Sequence, residues 1–409
     1  MGVFAETEHG QHPTTETDNL GVDGSVSGHR NIMRYSPLLG KRMTRIKVCL
    51  IVLGKRGDHM KFIGLVSVFL GFFILSGCVS VPKTAEGQNP VLPIPESPLG
   101  ISQSLTDLEV PPTPEKVRLG RWLFYDTRLS GDEQISCATC HRPENAFSEP
   151  TPVSSGIRGQ KGARKAPSFV NLAWTIYPHF FWDGRAASLE EQAVGPIANP
   201  IEMGSTHTAA VEKIASIKGY RPYFKEAFGT DEVTLDRIAK AIADYERTRM
   251  SGNSPWDRWQ EGDETAVTDE VKKGHELFFG KARCNQCHLG QNFTDSSFHN
   301  LGVGWNPKTK KFADIGRFEI SKKKEDKGAF KTPGLREVTK HPPYMHDGSV
   351  ATLWEVMELY NRGGEKNPHL SPKISPLKLK KSEIAALVAL MEALDGEGYI
   401  DSAPTQFPQ

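Results

Sequence analysis

An excess of charge of either sign is missing from this chain. Its 409 residues carry 50 Lys and Arg against 49 Asp and Glu, a formal net charge of +1. There is no long basic run, and nothing points to nucleic acid. The short stretch SKKKEDK around Lys323 reads as a solvated loop rather than a docking patch. Cysteine is also scarce. There are six, four of them in two copies of one motif, which leaves none for a structural disulfide. No apolar run spans a bilayer comfortably; the longest, Phe62 to about Leu75, is too short. No convincing strand alternation appears either, so the chain is expected to be mostly helical.

What is present begins with ISCATCHRPENAF, from Ile135 to Phe147. About 150 residues later ARCNQCHLGQNF, ending at Phe293, nearly repeats it. Two cysteines two residues apart are also half of a zinc site or a redox pair. Zinc would need two further ligands nearby, and a redox pair has no need of the histidine. Cys-x-x-Cys-His is the attachment signature of c-type heme. Cys137 and Cys140 would form thioethers to one porphyrin, with His141 as the proximal iron ligand. Cys284, Cys287 and His288 make the second site. Two covalently bound hemes are expected.

The other two cysteines lie upstream. Residues 1–59, with Cys49, are polar and irregular, yet they precede a signal-like segment. They read as a mis-started or non-native extension, with Met60 as the true start. Residues 60–77 have Lys61 as a charged n-region and then the apolar run, a secretory signal. LSGC, closing at Cys78, resembles a bacterial lipobox, which would make Cys78 the lipidated first residue of the mature protein. An ordinary signal with a chance cysteine is the alternative. The expected place is the periplasm, lipid-anchored to a bacterial membrane, the outer one by preference. Residues 78–99 are proline-rich and read as a tether without a core.

An internal repeat sets the domain boundary. VRLGRWLF from Val117 aligns with VKKGHELF from Val271, sharing Val-x-x-Gly-x-x-Leu-Phe. In each copy an Asn lies four residues past the heme histidine, Asn145 and Asn292, with Phe147 and Glu149, or Phe293 and Asp295, close behind. Thr113 can cap the first octet, with Pro114 at the first helical position. A second helix closes each unit. Thr234 caps one bearing Ile238, Ile242 and Tyr245. The other carries the stripe Ile384, Leu387, Val388, Met391 and Leu394, ended by Gly396. The expected architecture is two mostly α cytochrome c-like heme domains in tandem, 100–262 and 263–400.

FFWDGRAASLEEQAVGPIANPIEMG, from Phe180 to Gly204, resembles the linking region of bacterial diheme cytochrome c peroxidases and of MauG. LGRWLFYDTRLS, GQKGARKAPSFVN and PYMHDGSVATL resemble the same family, over roughly residues 105–395. The resemblance implies that the first heme binds peroxide and the second relays electrons. It makes Trp182 the residue between the hemes, Glu202 the catalytic carboxylate and Gln192 a distal-pocket glutamine. Splitting an O–O bond needs a proton moved from the near to the far oxygen, work suited to one positioned carboxylate.

Three positions depart from many members of that family. Where these carry a histidine that blocks the first heme, this chain has Ile157, which cannot ligate iron; His179 is the nearest substitute. Fourteen residues past His346, where the peroxidases use a methionine on the second heme, stands Tyr360, as in MauG. Met357 lies one helical turn away, and Tyr360 as plain packing stays open. At the asparagine of a calcium site shared with the carbonyls of His341 and Pro343 stands Lys165, which makes calcium doubtful. Its ammonium would replace the ion, or the lysine would be exposed and the site lost.

The resemblance therefore implies a periplasmic diheme peroxidase that reduces hydrogen peroxide. Its reductant would be a small donor protein, a cytochrome c or a cupredoxin. The alternative is a MauG-like enzyme that oxidises side chains of a partner protein. MauG has a tryptophan just before its second motif, and here that place is Ala282. A diheme electron carrier is the non-enzymatic reading. Membrane contact is through the lipid anchor only, and a homodimer is left open.

Overall fold

The computed structural model describes residues 89–173 and 179–409. The signal segment, Cys49 and Cys78 lie outside the described residues. The described helices are α1 Pro114–Tyr125, α2 Cys137–Cys140, α3 Leu189–Ala198, α4 His207–Ser216, α5 Arg221–Phe228, α6 Leu235–Arg247, α7 Pro255–Gln260, α8 Asp269–Phe279, α9 Phe318–Ser321, α10 Leu353–Asn361 and α11 Lys381–Glu392. Strand structure is minor. β1 Phe298–His299 pairs antiparallel with β4 Phe330–Lys331, and β2 Trp305–Asn306 with β3 Lys311–Phe312. The fold is mostly α. No helix among the described residues is long and apolar enough to cross a membrane.

The helix starts follow the expected chemistry. Thr113 accepts the Lys116 N–H, with Pro114 behind it, and Thr234 accepts that of Arg237 at 3.2 Å. Such caps satisfy N–H groups that the helix leaves unpaired. Helix α11 stops at Glu392, short of Gly396. The Gly396 N–H instead donates to buried Glu337.

Two hydrophobic clusters organise the chain. The first gathers Leu119, Trp122, Leu123, Phe124, Phe147, Ile242 and Tyr245 around α1 and α6. The second gathers Leu277, Phe278, Phe293, Leu387, Leu390 and Met391 around α8 and α11. The glycine of each octet marks where its two helices cross. A Cβ on Gly120 would stand 1.8 Å from the Ala241 carbonyl oxygen, and one on Gly274 2.1 Å from that of Ala386.

The repeat extends further than the octets. Lys165-Ala166-Pro167 is matched by Lys331-Thr332-Pro333. Phe180 to Leu189 is matched by Tyr344 to Leu353, which sets Trp182 against His346. Bridges Phe180–Ala186 and Tyr344–Val350 close equivalent loops. Phe181 and Met345 share positive φ, 66° and 72°, as do Gly184 and Gly348. Ser188 and Thr352 then cap α3 and α10.

The halves are also stitched to each other. Asn145 donates to the Lys340 carbonyl at 3.1 Å, and Asn292 to the Asn171 carbonyl at 3.2 Å. Buried Arg336 forms two 2.8 Å bonds to buried Asp257 and reaches the carbonyls of Gln291 and Gly100. Residues 89–99, the described end of the proline-rich stretch, lie against the body. Asn89 is buried on the Arg118 carbonyl, and the Leu99 carbonyl accepts the Asn253 N–H. The C-terminal segment returns to the first half, where Asp401 takes bonds from Arg121 and Tyr245.

Gly274→Ala tests the helix crossing. Propensity alone favours alanine by about 1 kcal/mol in a helix. Overpacking against the α11 backbone should outweigh that and cost about 1–3 kcal/mol. The urea midpoint of the heme-loaded protein should therefore fall, and that of Gly120→Ala with it.

Candidate functional site

Both Cys-x-x-Cys-His motifs open on one cavity of about 660 Å³. The first motif turns as α2 and the second as a short 3-10 turn, Cys284–Gln286. In each turn the histidine N–H reaches back to the first cysteine carbonyl, at 2.9 Å for His141 and 2.8 Å for His288. That brings the imidazole beside the two thiols. All four cysteines are free. Burial pushes the Cys140 thiol up to about 11 and Cys284 up to about 12, so both stay protonated at neutral pH.

The two histidines are oriented identically. His141 Nδ1 lies 2.8 Å from the Phe147 carbonyl oxygen, and His288 Nδ1 lies 2.8 Å from that of Phe293. A carbonyl only accepts, so Nδ1 carries the proton and Nε2 keeps its lone pair. A bond of this kind fixes the tautomer and ring orientation of an imidazole that is to ligate a metal. Burial also holds both rings below their usual pKa, which favours the neutral form. The acceptors are held by their own backbone, since Phe147 and Phe293 both have positive φ, 54° and 53°.

The residues present therefore fit two c-type hemes. Each half offers two thiols and one neutral imidazole on a shared, largely apolar space. Two polar atoms in the cavity wall, Glu246 Oε2 and Asn292 Oδ1, are buried without a partner among the described residues. Among those residues Cys287, Asp295 and His299 also have metal-ligating spacing. Asp295 pairs with His299 at 2.9 Å, which lies beside the second motif.

Glu202, Gln192 and Trp182 all line this cavity. Glu202 follows α3 and is half-buried. Burial raises its carboxyl above the usual range, while Arg185 and a 2.7 Å bond from Asn199 oppose the shift. The Glu202 carbonyl accepts the Ile157 N–H at 2.7 Å. The Gln192 amide makes no hydrogen bond among the described residues. Trp182 sits on the seam: its indole donates to the Lys165 carbonyl at 2.9 Å, and its own carbonyl accepts the Lys331 N–H at 2.9 Å. The Lys165 N–H in turn donates to the His346 carbonyl at 2.8 Å.

The departing positions are resolved in detail. Ile157 is buried but does not line the cavity; it packs toward Gly131 and Gly204. The His179 ring lies 6.0 Å from that of Phe298 and does not line the cavity either. Tyr360 and Met357 both line it. Burial raises the Tyr360 phenol, and the thiols of Cys284 and Cys287 add to the shift. Lys165 is not exposed: it is 4% accessible, and its ammonium reaches the carbonyls of Glu149 and Thr151 rather than those of His341 and Pro343. Burial lowers that ammonium to about 8.

Several wall residues escaped the sequence. Lys331 lies in the same Lys-x-Pro setting as Lys165, and burial lowers it too, to about 8. His346 served only as a ruler for Tyr360, yet it is buried and stacks on Phe330 at 3.5 Å. Aligning the Asp-Gly pairs at 183–184 and 347–348 would have found His346, and aligning the two Lys-x-Pro stretches would have found Lys331. Glu246 carried no motif.

Glu246 makes stability depend on pH. Burial pushes its carboxyl from 4.5 up to about 8, with Arg247 opposing and Glu190 adding. For an acid raised on folding, the favourable contribution is complete below about pH 4.5 and is lost as pH rises toward 8. Glu246→Gln should flatten that loss, seen as urea midpoints that differ less between pH 5 and pH 9 than in the unaltered protein. Equal slopes would mean that other groups titrate.

A family description, Di-haem cytochrome c peroxidase, matches residues 114–265. Methylamine utilization protein MauG of Methylorubrum extorquens is 42% identical over 290 residues, 70% of this chain and 80% of that protein. Cytochrome c551 peroxidase of Nitrosomonas europaea is 38% identical over 287 residues, 70% of this chain and 82% of that one. A solved MauG-like protein associated with microbial copper homeostasis is 32% identical, with a TM-score of 0.67 over 78% of this chain and 97% of that one. The diheme peroxidase BthA of Burkholderia thailandensis, at 22% identity, shares the fold with a TM-score of 0.60 over 77% of this chain and 95% of that one.

Proposed function

Since the chain belongs to the bacterial di-heme cytochrome c peroxidase and MauG family, oxidoreductases of peroxidase type, we propose that it reduces hydrogen peroxide to water. The heme of Cys137, Cys140 and His141 would be the peroxide site, and that of Cys284, Cys287 and His288 the electron relay, each in its own helical half, 100–262 and 263–400. The carrying observation is that Glu202 and Gln192 both line the cavity that the first motif opens on, the Glu202 carboxyl raised by burial. Heme iron, when bound, supplies the coordination position and the redox equivalents for O–O cleavage.

The chain's own groups handle the protons. Glu202 takes a proton from one peroxide oxygen and delivers it to the other, so that water can leave. A carboxyl raised toward neutrality is better matched to both transfers. Gln192 offers an amide donor to hold the peroxide. Trp182 couples the two halves through its bonds to Lys165 and Lys331. Ile157 leaves the first heme without a blocking ligand, and His179 packs on Phe298 instead. The buried Lys165 ammonium carries the positive charge that calcium carries in many relatives, so activity should not need calcium. The place of action is the periplasm, with Cys78 as lipid anchor.

Tyr360 favours a second reading, the MauG-like oxidation of a partner protein's side chains. Bound to the second iron as phenolate, Tyr360 would stabilise high oxidation states, so that oxidising equivalents would be shared between the hemes. Ala282, buried in the wall where MauG has tryptophan, speaks for the small-donor reading instead.

Glu202→Gln should keep both hemes and slow peroxide cleavage by about 100- to 10,000-fold in stopped-flow measurements. An unchanged rate would assign the proton transfer to another group. The isolated ferric protein should contain one high-spin heme and react with peroxide without prior reduction. Tyr360→Met should raise the potential of the second heme, because methionine ligation favours the reduced state. If Tyr360→Phe alters neither its spectrum nor its potential, the tyrosine is packing and Met357 is the ligand to test.

A further inference from the structure

The two halves differ most in one excursion. The first reaches Lys165-Ala166-Pro167 twenty-four residues after His141; the second reaches Lys331-Thr332-Pro333 forty-three residues after His288. The added length carries β2, β3 and α9. Between residues 302 and 328 it holds eight cationic side chains against four acidic ones, net +4 in a chain whose total is +1.

Much of the acidic charge is already used. Asp314 pairs with Arg164, and Glu319 with Lys322. Lys308, Lys310, Lys311, Lys323 and Lys324 are exposed and make no ion pair among the described residues. Lys310, Lys311 and Lys327 converge on a hollow of about 370 Å³ with an aromatic wall, the rings of Trp305 and Phe312 being 4.8 Å apart. Its root belongs to the heme-site wall, since Leu301, Val303, Asp314 and Gly328 line the main cavity.

We propose that this lysine-rimmed hairpin is the docking surface for a small acidic electron-donor protein. An aromatic centre ringed by solvated charges has the anatomy of a protein interface. The hollow offers a small anion only exposed or half-buried side chains, three lysines and His369, and no deeply buried polar side chain to fix it. Unpaired surface charge of one sign steers an oppositely charged partner and raises its association rate by about 10- to 1,000-fold. A partner seated on Trp305 is two residues from Val303 in the cavity wall, which gives a short electron path to the second half. Each docked donor gives up one electron; two donors and two solvent protons turn one peroxide into two waters. SKKKEDK is then part of a docking face and not merely a solvated loop.

The electron-transfer part rests on the peroxidase reading, whereas the docking part is measurable without turnover. The experiment uses the full heme-loaded chain, the Lys308→Glu/Lys310→Glu/Lys311→Glu variant, and the milder version with Gln at the same three places. An oxidised acidic cupredoxin of plastocyanin type should bind the unaltered protein in calorimetry. It should bind the Gln variant more weakly and the Glu variant not at all. With the reduced cupredoxin and peroxide, kcat/KM should fall tenfold or more in the Glu variant at low salt. That difference should close near 1 M salt, where charges are screened beyond about 3 Å. Turnover of a small dye donor should be unchanged. Binding lost without any turnover by either protein would uphold docking and overturn the peroxidase reading. Equal cupredoxin binding by all three proteins would overturn the docking proposal. So would an equal loss with the dye, or phosphate binding in the hollow with no cupredoxin bound.

Discussion

Apolar space that the polypeptide does not fill itself is the constraint on which the rest depends. Protein interiors pack as densely as organic crystals. A cavity of about 660 Å³ is far larger than the few water-sized voids such an interior leaves. On the proposed reading two hemes fill this space, and the four free thiols in its wall would tie them to the chain. This accounts for the long loops and scant strand structure: loops wrapped on a fixed prosthetic group need less regular hydrogen bonding among themselves.

The same space explains how the halves share labour. Each orients its histidine by one carbonyl and lends an asparagine to the other half, at Asn145 and Asn292. The seam between them is backbone as much as side chain, with Trp182 bonded on both sides to the residues that begin Lys-x-Pro. Around this common frame the two sites are specialised by what differs. On the proposed reading, Glu202 and Gln192 would make one a place for proton transfer. On the same reading, Tyr360 and the cationic excursion would make the other the place where electrons arrive.

The sequence disclosed what depends on local chemistry. Thr113 and Thr234 cap helices because a side-chain oxygen next to an amphipathic run has little else to do. The paired octets and motifs were legible because each needs particular residues at fixed spacing. What stayed hidden depends on distant parts of the chain. From sequence, Lys165 is expected either among the carbonyls of His341 and Pro343 or exposed, and only the fold turns its ammonium to those of Glu149 and Thr151. Glu246 is one carboxylate in a helical run until burial isolates it. The match of Trp182 with His346 escaped notice because their side chains differ; the backbone around them, with its positive φ at Phe181 and Met345, is what repeats.

Gly120 and Gly274 limit how far two copies of an ancestral unit can drift. With a carbonyl oxygen about 2 Å from where a side chain would begin, no larger residue is admitted unless the facing helix retreats at the same time. A side chain there meets backbone, whereas the exposed lysines at 308, 310, 311, 323 and 324 face solvent and can change in number and charge without that clash. Kinship between the halves therefore survives as islands of text separated by passages that no longer align. A duplicated gene keeps its old wording longest where the backbone leaves no room for a synonym.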